Sequence, residues 1–216
     1  MMTYSKMEQR EIGVDEAGRG PVIGSMFVAG VLNYEGLDEL GVKDSKRLSP
    51  SRREYLAKII EDATEVHVIE MTASEIDKAR EERTLNGIMV ELFSEVINHF
   101  QPDRAFVDAA DVKPERFAAN LRSNYKGVGE LEIISEWKAD DRYPVVSASS
   151  IVAKVHRDRS IRVLEAEIGA EIGSGYPADL KTIQFLKGLL KGKELDDIPS
   201  YVRRSWKTVH LYMPKE

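Results

Sequence analysis

The chain has no cysteine among its 216 residues, which excludes disulfides, thiolate zinc sites and a cysteine nucleophile. Its four histidines, His67, His99, His156 and His210, show no metal-ligand spacing. Any bound metal must therefore rely chiefly on oxygen, the donor that favours Mg²⁺, Mn²⁺ or Ca²⁺ over zinc. No apolar run approaches the roughly 18 to 20 residues that span a bilayer, and Met1-Met2-Thr3-Tyr4-Ser5-Lys6 opens no signal-peptide core. A cytoplasmic protein with no membrane contact is expected. Also missing are a Walker A loop, a nucleophile elbow and a dinucleotide-binding glycine fingerprint, since Gly173-Ser174-Gly175 does not follow a strand.

What remains is ordinary globular composition, 42% hydrophobic and 31% charged, enough to bury a real core. The net charge of −6 conceals an asymmetry. Residues 61–95 carry ten acids against three bases, whereas residues 181–216 carry eight bases against four acids. Lys181, Lys187, Lys191, Lys193, Arg203, Arg204, Lys207 and Lys215 thus offer phosphate contacts that the whole-chain charge hides, or else a solvated basic face.

The most informative stretch is Ile12-Gly13-Val14-Asp15-Glu16-Ala17-Gly18-Arg19-Gly20-Pro21, an apolar run ending in two carboxylates and a glycine-flanked arginine. Neighbouring residues on a strand point to opposite faces, so the strand is expected to end or bulge at Asp15-Glu16 if both acids are to serve one site. Gly18 and Gly20 permit positive φ and close backbone approach, and successive N–H groups in such a turn form an anion-binding concavity. Paired acids would hold a cation, and the turn would hold a phosphate.

Further along, residues 22–32 read as a second strand returning across the Gly-Arg-Gly turn. Ser49-Pro50 caps a helix through about Ile60, and Glu65 to Met71 alternates as a third strand. Helices follow over Ser74 to Glu82 and Thr84 to Phe100, the latter with Leu85, Ile88, Met89, Leu92, Val96 and Ile97 at helical spacing. Arg104 to Asp108 is a fourth strand, again ending in a carboxylate. A helix over Pro114 to Leu121, a strand over Leu131 to Glu136 and a long helix from about Val145 to Ile168 complete the alternation. An α/β fold is expected, a mixed sheet flanked by helices over residues 1–168, with a smaller helical appendage over residues 169–216.

Asp15, Glu16, Asp108 and Asp140 each sit at a strand end or just before a helix, where such folds place ligand sites. Four clustered carboxylates repel one another, so the grouping makes sense chiefly around a divalent cation. On the long helix Ser147, Ser150, Lys154 and Arg157 are spaced three, four and three apart, a polar stripe aimed at phosphate or at the acids.

These motifs resemble those of type 2 ribonucleases H (ribonuclease HII) of archaeal and eukaryotic style. The likeness covers most of the chain: Gly13-Val14-Asp15-Glu16-Ala17-Gly18-Arg19-Gly20-Pro21, Asp44-Ser45-Lys46-Arg47-Leu48, Thr84-Leu85-Asn86, Val107-Asp108, Lys138-Ala139-Asp140, Tyr143-Pro144-Val145-Val146-Ser147-Ala148, Ile151-Val152-Ala153-Lys154-Val155 and Gly173-Ser174-Gly175-Tyr176-Pro177. It implies a ribonuclease H-like fold and a metal-dependent endoribonuclease. Such an enzyme hydrolyses the RNA strand of RNA–DNA hybrids and cuts 5′ of ribonucleotides embedded in duplex DNA, leaving a 3′-hydroxyl and a 5′-phosphate.

The resemblance makes Asp15, Glu16, Asp108 and Asp140 the catalytic ligands of Mg²⁺ or Mn²⁺, two ions with substrate bound. It gives Gly18, Arg19 and Gly20 the nucleic-acid backbone and the 2′-hydroxyl, and Tyr176 the sugar at the RNA-to-DNA junction. Lys46 and Lys154, with Ser147 and Ser150 of the helix stripe, are expected to contact phosphate or support the metal ligands. Asp111 and Asp141 compete with Asp108 and Asp140, and the Val-Asp and Lys-Ala-Asp contexts favour the earlier residue of each pair. Leu211-Tyr212-Met213-Pro214-Lys215-Glu216 does not resemble a sliding-clamp-binding peptide, and a monomer is expected. Two rival readings share part of the pattern: another metal-dependent nuclease such as a junction resolvase, and a non-catalytic nucleic-acid-binding module holding structural Ca²⁺.

Overall fold

Five strands form one mixed sheet in the order β3-β2-β1-β4-β5. The computed structural model describes residues 9–42 and 48–213. β1 (Glu11–Ala17), β2 (Met26–Leu32) and β3 (Val66–Met71) run antiparallel, while β4 (Arg104–Asp108) and β5 (Glu132–Glu136) run parallel to β1. Connection length accounts for the mixture. The short link from β1 to β2 suits an antiparallel pair, whereas β4 and β5 follow helical crossovers, as parallel neighbours require.

The helices start where their local chemistry dictates. α1 (Pro50–Ala63) has Ser49 accepting from the Arg52 N–H, with proline in the first turn. α2 (Ala73–Glu82) has a capping box, Thr72 and Glu75 each bonding the other's backbone. α3 (Leu85–Phe100) is capped by Thr84, and α4 (Pro114–Ser123) opens on proline. A short α5 (Ala139–Arg142) precedes the long α6 (Pro144–Ile168), and α7 (Leu180–Leu190) and α8 (Lys207–Tyr212) lie in the C-terminal segment.

Strand alternation gives the sheet two buried faces. Ile12, Val14, Met26 and Val28 pack with α3 and α4 residues such as Phe93 and Phe117. Ala17, Ala29 and Val31 pack on the other face with Leu56, Val146 and Ile151 of α1 and α6. Gly13 lets α6 lie directly on β1: a Cβ there would stand 2.2 Å from the Val145 carbonyl oxygen. Ser149 reinforces this approach, its hydroxyl donating to the Gly13 carbonyl at 2.8 Å. A third cluster joins Val22 and Ile23 to Ile172, Leu186, Leu190, Ile198, Val202 and Val209. No described helix is long and apolar enough to cross a membrane.

Two expectations about the first hairpin need correction. β1 neither ends nor bulges at the paired acids, because Asp15, Glu16 and Ala17 stay in register with Ala29, Val28 and Phe27. β2 starts at Met26 rather than Val22. Gly24 has φ +91°, outside strand geometry, and residues 22–24 bond instead to the C-terminal segment. Ile23 bridges Val202, and the Gly24 N–H donates to the Tyr201 carbonyl at 2.8 Å.

Candidate active site

Val14 of β1 pairs with Val107 of β4, so the next residues, Asp15 and Asp108, stand side by side at the ends of parallel strands. Their side chains share the face covered by α6, because adjacent strands in register point alike. Asp15 is only 5% exposed. One of its carboxylate oxygens accepts the Glu16 N–H at 2.7 Å, and the Ser150 hydroxyl adds a hydrogen bond. Burial, with Asp108 and Glu16 close by, nevertheless pushes the Asp15 pKa well above the usual carboxylate range.

Glu16 points to the opposite face of β1, as strand alternation demands, and reaches the same end of the sheet beside the Gly-Arg-Gly loop. Its carboxylate accepts the Arg19 N–H at 3.2 Å. Burial raises its pKa too, opposed by the nearby positive charge of Arg19. The acids thus gather around the strand end without a break in the strand.

Asp140 arrives on α5 and is 4% exposed. Its approach depends on Lys138, one of two non-glycine residues with positive φ among those described, at 56°. That left-handed residue turns the chain so that the Ala139 N–H donates to Asp108 at 2.8 Å. The rival acid Asp111 is engaged by Arg116, whose Nε and Nη2 donate to its two carboxylate oxygens at 3.0 and 2.6 Å.

The helix stripe divides. Ser150 bonds Asp15 and accepts from the Lys154 ammonium at 3.1 Å, which links Lys154 to the acids through one hydroxyl. Ser147 does not belong to this surface: it is fully buried and donates to the Val42 carbonyl, so its role is to seat α6. Arg157 is also buried and donates to the Ser174 carbonyl, with its guanidinium 5.0 Å from the centre of the Tyr176 ring. Lys46 lies outside the described residues.

Tyr176 is 38% exposed and flanks Gly20, where a Cβ would come within 3.4 Å of the ring. A cleft of about 440 Å³ joins Glu16, Gly18, Lys154, Arg157 and Tyr176. A larger hollow, about 610 Å³, lies beside α2, but its Asp77 is spent on the Arg204 and Ser205 N–H groups and the Ser205 hydroxyl. The smaller cleft is the one bordered by the paired acids and the glycine loop.

Two supports of that loop had no such role in the sequence reading, although Asn86 stood within the Thr84-Leu85-Asn86 motif. Asn86, in the first turn of α3, accepts from the Arg19 guanidinium at 2.7 Å and fixes its direction. Arg203, counted above among the phosphate-binding cations, is 0% exposed and does not face solvent. It donates to the carbonyls of Gly18, Arg19 and Gly24 at 2.6, 3.1 and 3.0 Å. Burial lowers its pKa to about 10. Its neighbourhood, Tyr201-Val202-Arg203-Arg204-Ser205-Trp206, is apolar on one side and polar on the other, and carries no signal that separates a buried arginine from a surface one.

The ribonuclease HII family model matches residues 12–209, an extent that includes every site residue discussed. The chain belongs to the ribonuclease HII family. A ribonuclease HII of Methanothrix thermoacetophila is 52% identical over 202 residues, covering 91% of this chain and 94% of that one. The ribonuclease H2 of Pyrococcus horikoshii superposes with a TM-score of 0.84 at 40% identity, over 94% of this chain and 96% of its own. The Archaeoglobus fulgidus ribonuclease HII, solved as a complex with PCNA, gives the same TM-score and identity over 92% and 95% of the two chains. Membership makes this chain a nuclease of ribonuclease H-like fold, and its mixed five-stranded sheet is the one the family likeness implied.

Proposed function

We propose that this ribonuclease HII hydrolyses the RNA strand of RNA–DNA hybrids and cuts 5′ of ribonucleotides embedded in duplex DNA, using two divalent ions, Mg²⁺ or Mn²⁺. The observation that carries the reading is the pair of acids, Asp15 and Asp108, at adjacent parallel strand ends, with Glu16 and Asp140 brought to the same edge. Among the described residues no group of three or more histidine, aspartate or glutamate side chains stands ready to hold an ion by itself. An open set of carboxylates suits Mg²⁺, which keeps several waters and takes substrate phosphate oxygens. Burial first, and then the neighbouring carboxylates Asp108 and Glu16, raise the pKa of Asp15, and a bound cation would offset that cost of ionisation.

When bound, the ions would activate an attacking water and stabilise the departing 3′-oxygen. The chain's own part is to place the scissile phosphate. Gly18, Arg19 and Gly20 would hold the backbone and read the 2′-hydroxyl, the group that separates RNA from DNA at a given site. Tyr176, fixed between Gly20 and Arg157, would stack on the sugar at the junction. Lys154 and Ser150 would keep Asp15 oriented while adding positive charge near the phosphate. The 2′-hydroxyl is read and is not the nucleophile, so the products carry a 3′-hydroxyl and a 5′-phosphate. The acting unit is a single chain.

End-labelled duplex DNA containing one ribonucleotide, beside an all-DNA duplex, tests the reading with Mg²⁺, Mn²⁺ or EDTA. A metal-dependent cut on the 5′ side of the ribonucleotide alone is the expected result. Equal cutting of both duplexes would make the chain a general nuclease. Binding without any cut would return it to the binding-module reading.

A further inference from the structure

Three consecutive carbonyls in the Gly-Arg-Gly loop turn toward the C-terminal segment. Arg203 donates to the Gly18 and Arg19 carbonyls, and the Trp206 indole N–H donates to the Gly20 carbonyl at 3.3 Å. A trans peptide plane directs its N–H opposite to its C=O. Carbonyls held inward therefore turn the N–H groups of Arg19 and Gly20 the other way. The Arg19 N–H meets Glu16 at 3.2 Å, and Gly20 is exposed beside Tyr176. The next residue is Pro21, which has no N–H to orient.

Arg203 suits this task in ways a solvated cation would not. Its fork reaches both ends of the loop, because Nε also donates to the Gly24 carbonyl at 3.0 Å. The Trp206 ring covers the guanidinium at 4.9 Å, which keeps water from competing for the carbonyls. A lysine would supply charge without a planar fork able to bond three fixed acceptors.

We propose that Arg203 is a positioning residue for the nuclease reaction: it locks the peptide planes of residues 18–20 so that the Gly20 N–H faces the substrate phosphate. This inference rests on the proposed function of the same site. It makes the C-terminal segment a part of the phosphate cradle in place of a separate basic arm.

The test compares wild type, Arg203→Lys, Arg203→Met and Arg203→Ala in nicking of duplex DNA containing one ribonucleotide, with the folded fraction of each followed by circular dichroism. Loss of ground-state phosphate contacts raises KM, so Arg203→Lys and folded Arg203→Met should show KM about tenfold higher with kcat changed much less. Sub-denaturing methylguanidinium should lower the KM of Arg203→Ala toward wild type and leave wild type unaffected. A purely stabilising role predicts kcat falling with the folded fraction at unchanged KM, and that outcome overturns the proposal. So does wild-type KM in folded Arg203→Met. If Met fails to fold, the Lys variant and the rescued Ala variant decide by the same criterion. A wild type that ignores the ribonucleotide removes the proposed substrate, and this role falls with it.

Discussion

Alanine at position 13 would bring its Cβ to 2.2 Å from the Val145 carbonyl oxygen, 2.3 Å from its carbon and 2.6 Å from the Val146 nitrogen. A comfortable carbon-to-oxygen contact is about 3.3 to 3.6 Å, so relief needs a retreat of roughly 1 Å. All three clashing atoms are backbone, and no side-chain rotation can absorb the shift. Overpacking of this kind costs about 1 to 3 kcal/mol, and displacement of a helix start belongs at the upper end. The hydrogen bond from Ser149 to the Gly13 carbonyl would stretch with it, at about 1 kcal/mol more. A total near 4 kcal/mol corresponds to a Tm lower by about 8 to 16 °C in a chain of this length. The same displacement carries Ser150 and Lys154 away from Asp15, and misplacement by about 1 Å can slow catalysis roughly a hundredfold. Thermal unfolding by circular dichroism and single-turnover nicking read the two effects. A Gly13→Ala protein melting within about 3 °C of wild type and cutting at the wild-type rate would refute the packing argument.

Other consequences are more local. Asp15→Asn should abolish cleavage yet raise the metal-free Tm at pH 7. The raised folded-state pKa means the native state binds this proton more tightly than the unfolded chain does, so the ionised acid is a burden that grows above pH 3.8. The gain should shrink as pH falls toward that value, and a lower Tm in EDTA at pH 7 would sink the idea. Asn86→Ala frees the Arg19 guanidinium and should raise KM about tenfold or more, since a charge-assisted hydrogen bond contributes about 1.5 to 3 kcal/mol; unchanged KM would show that Arg19 needs no guide. Thr72→Ala breaks the capping box of α2 and should cost about 1 kcal/mol in urea unfolding, with nicking kinetics untouched.

Local chemistry was the most legible part of the sequence. Ser49-Pro50, Thr84 and the periodic residues of α3 located helices to within a few residues, because caps and amphipathic stripes act over short distances. Asp108 at the end of β4 was readable for the same reason. What escaped depended on distant partners. β1 continues through Asp15-Glu16 because β2 pairs with it over that whole stretch, which no turn signal announces. Gly24 ended the upstream reach of β2, and Lys138 entered a left-handed conformation that let α5 form where none was anticipated. Ser147 shared the helical phase of Ser150, yet only the packing of the 37–42 segment decides that it is buried. Arg203 looked like a surface cation because its acceptors lie 179 to 185 residues upstream.

That sequence separation also sets a clock. Translation at about 5 to 20 residues per second takes roughly 10 to 35 s to proceed from the glycine loop to the arginine that grips it. The strand ends bearing Asp15 and Asp108 exist in the growing chain well before Arg203 is made. The nascent protein therefore holds its acids before it holds the arginine that fixes its glycine loop, and the site is completed late in synthesis.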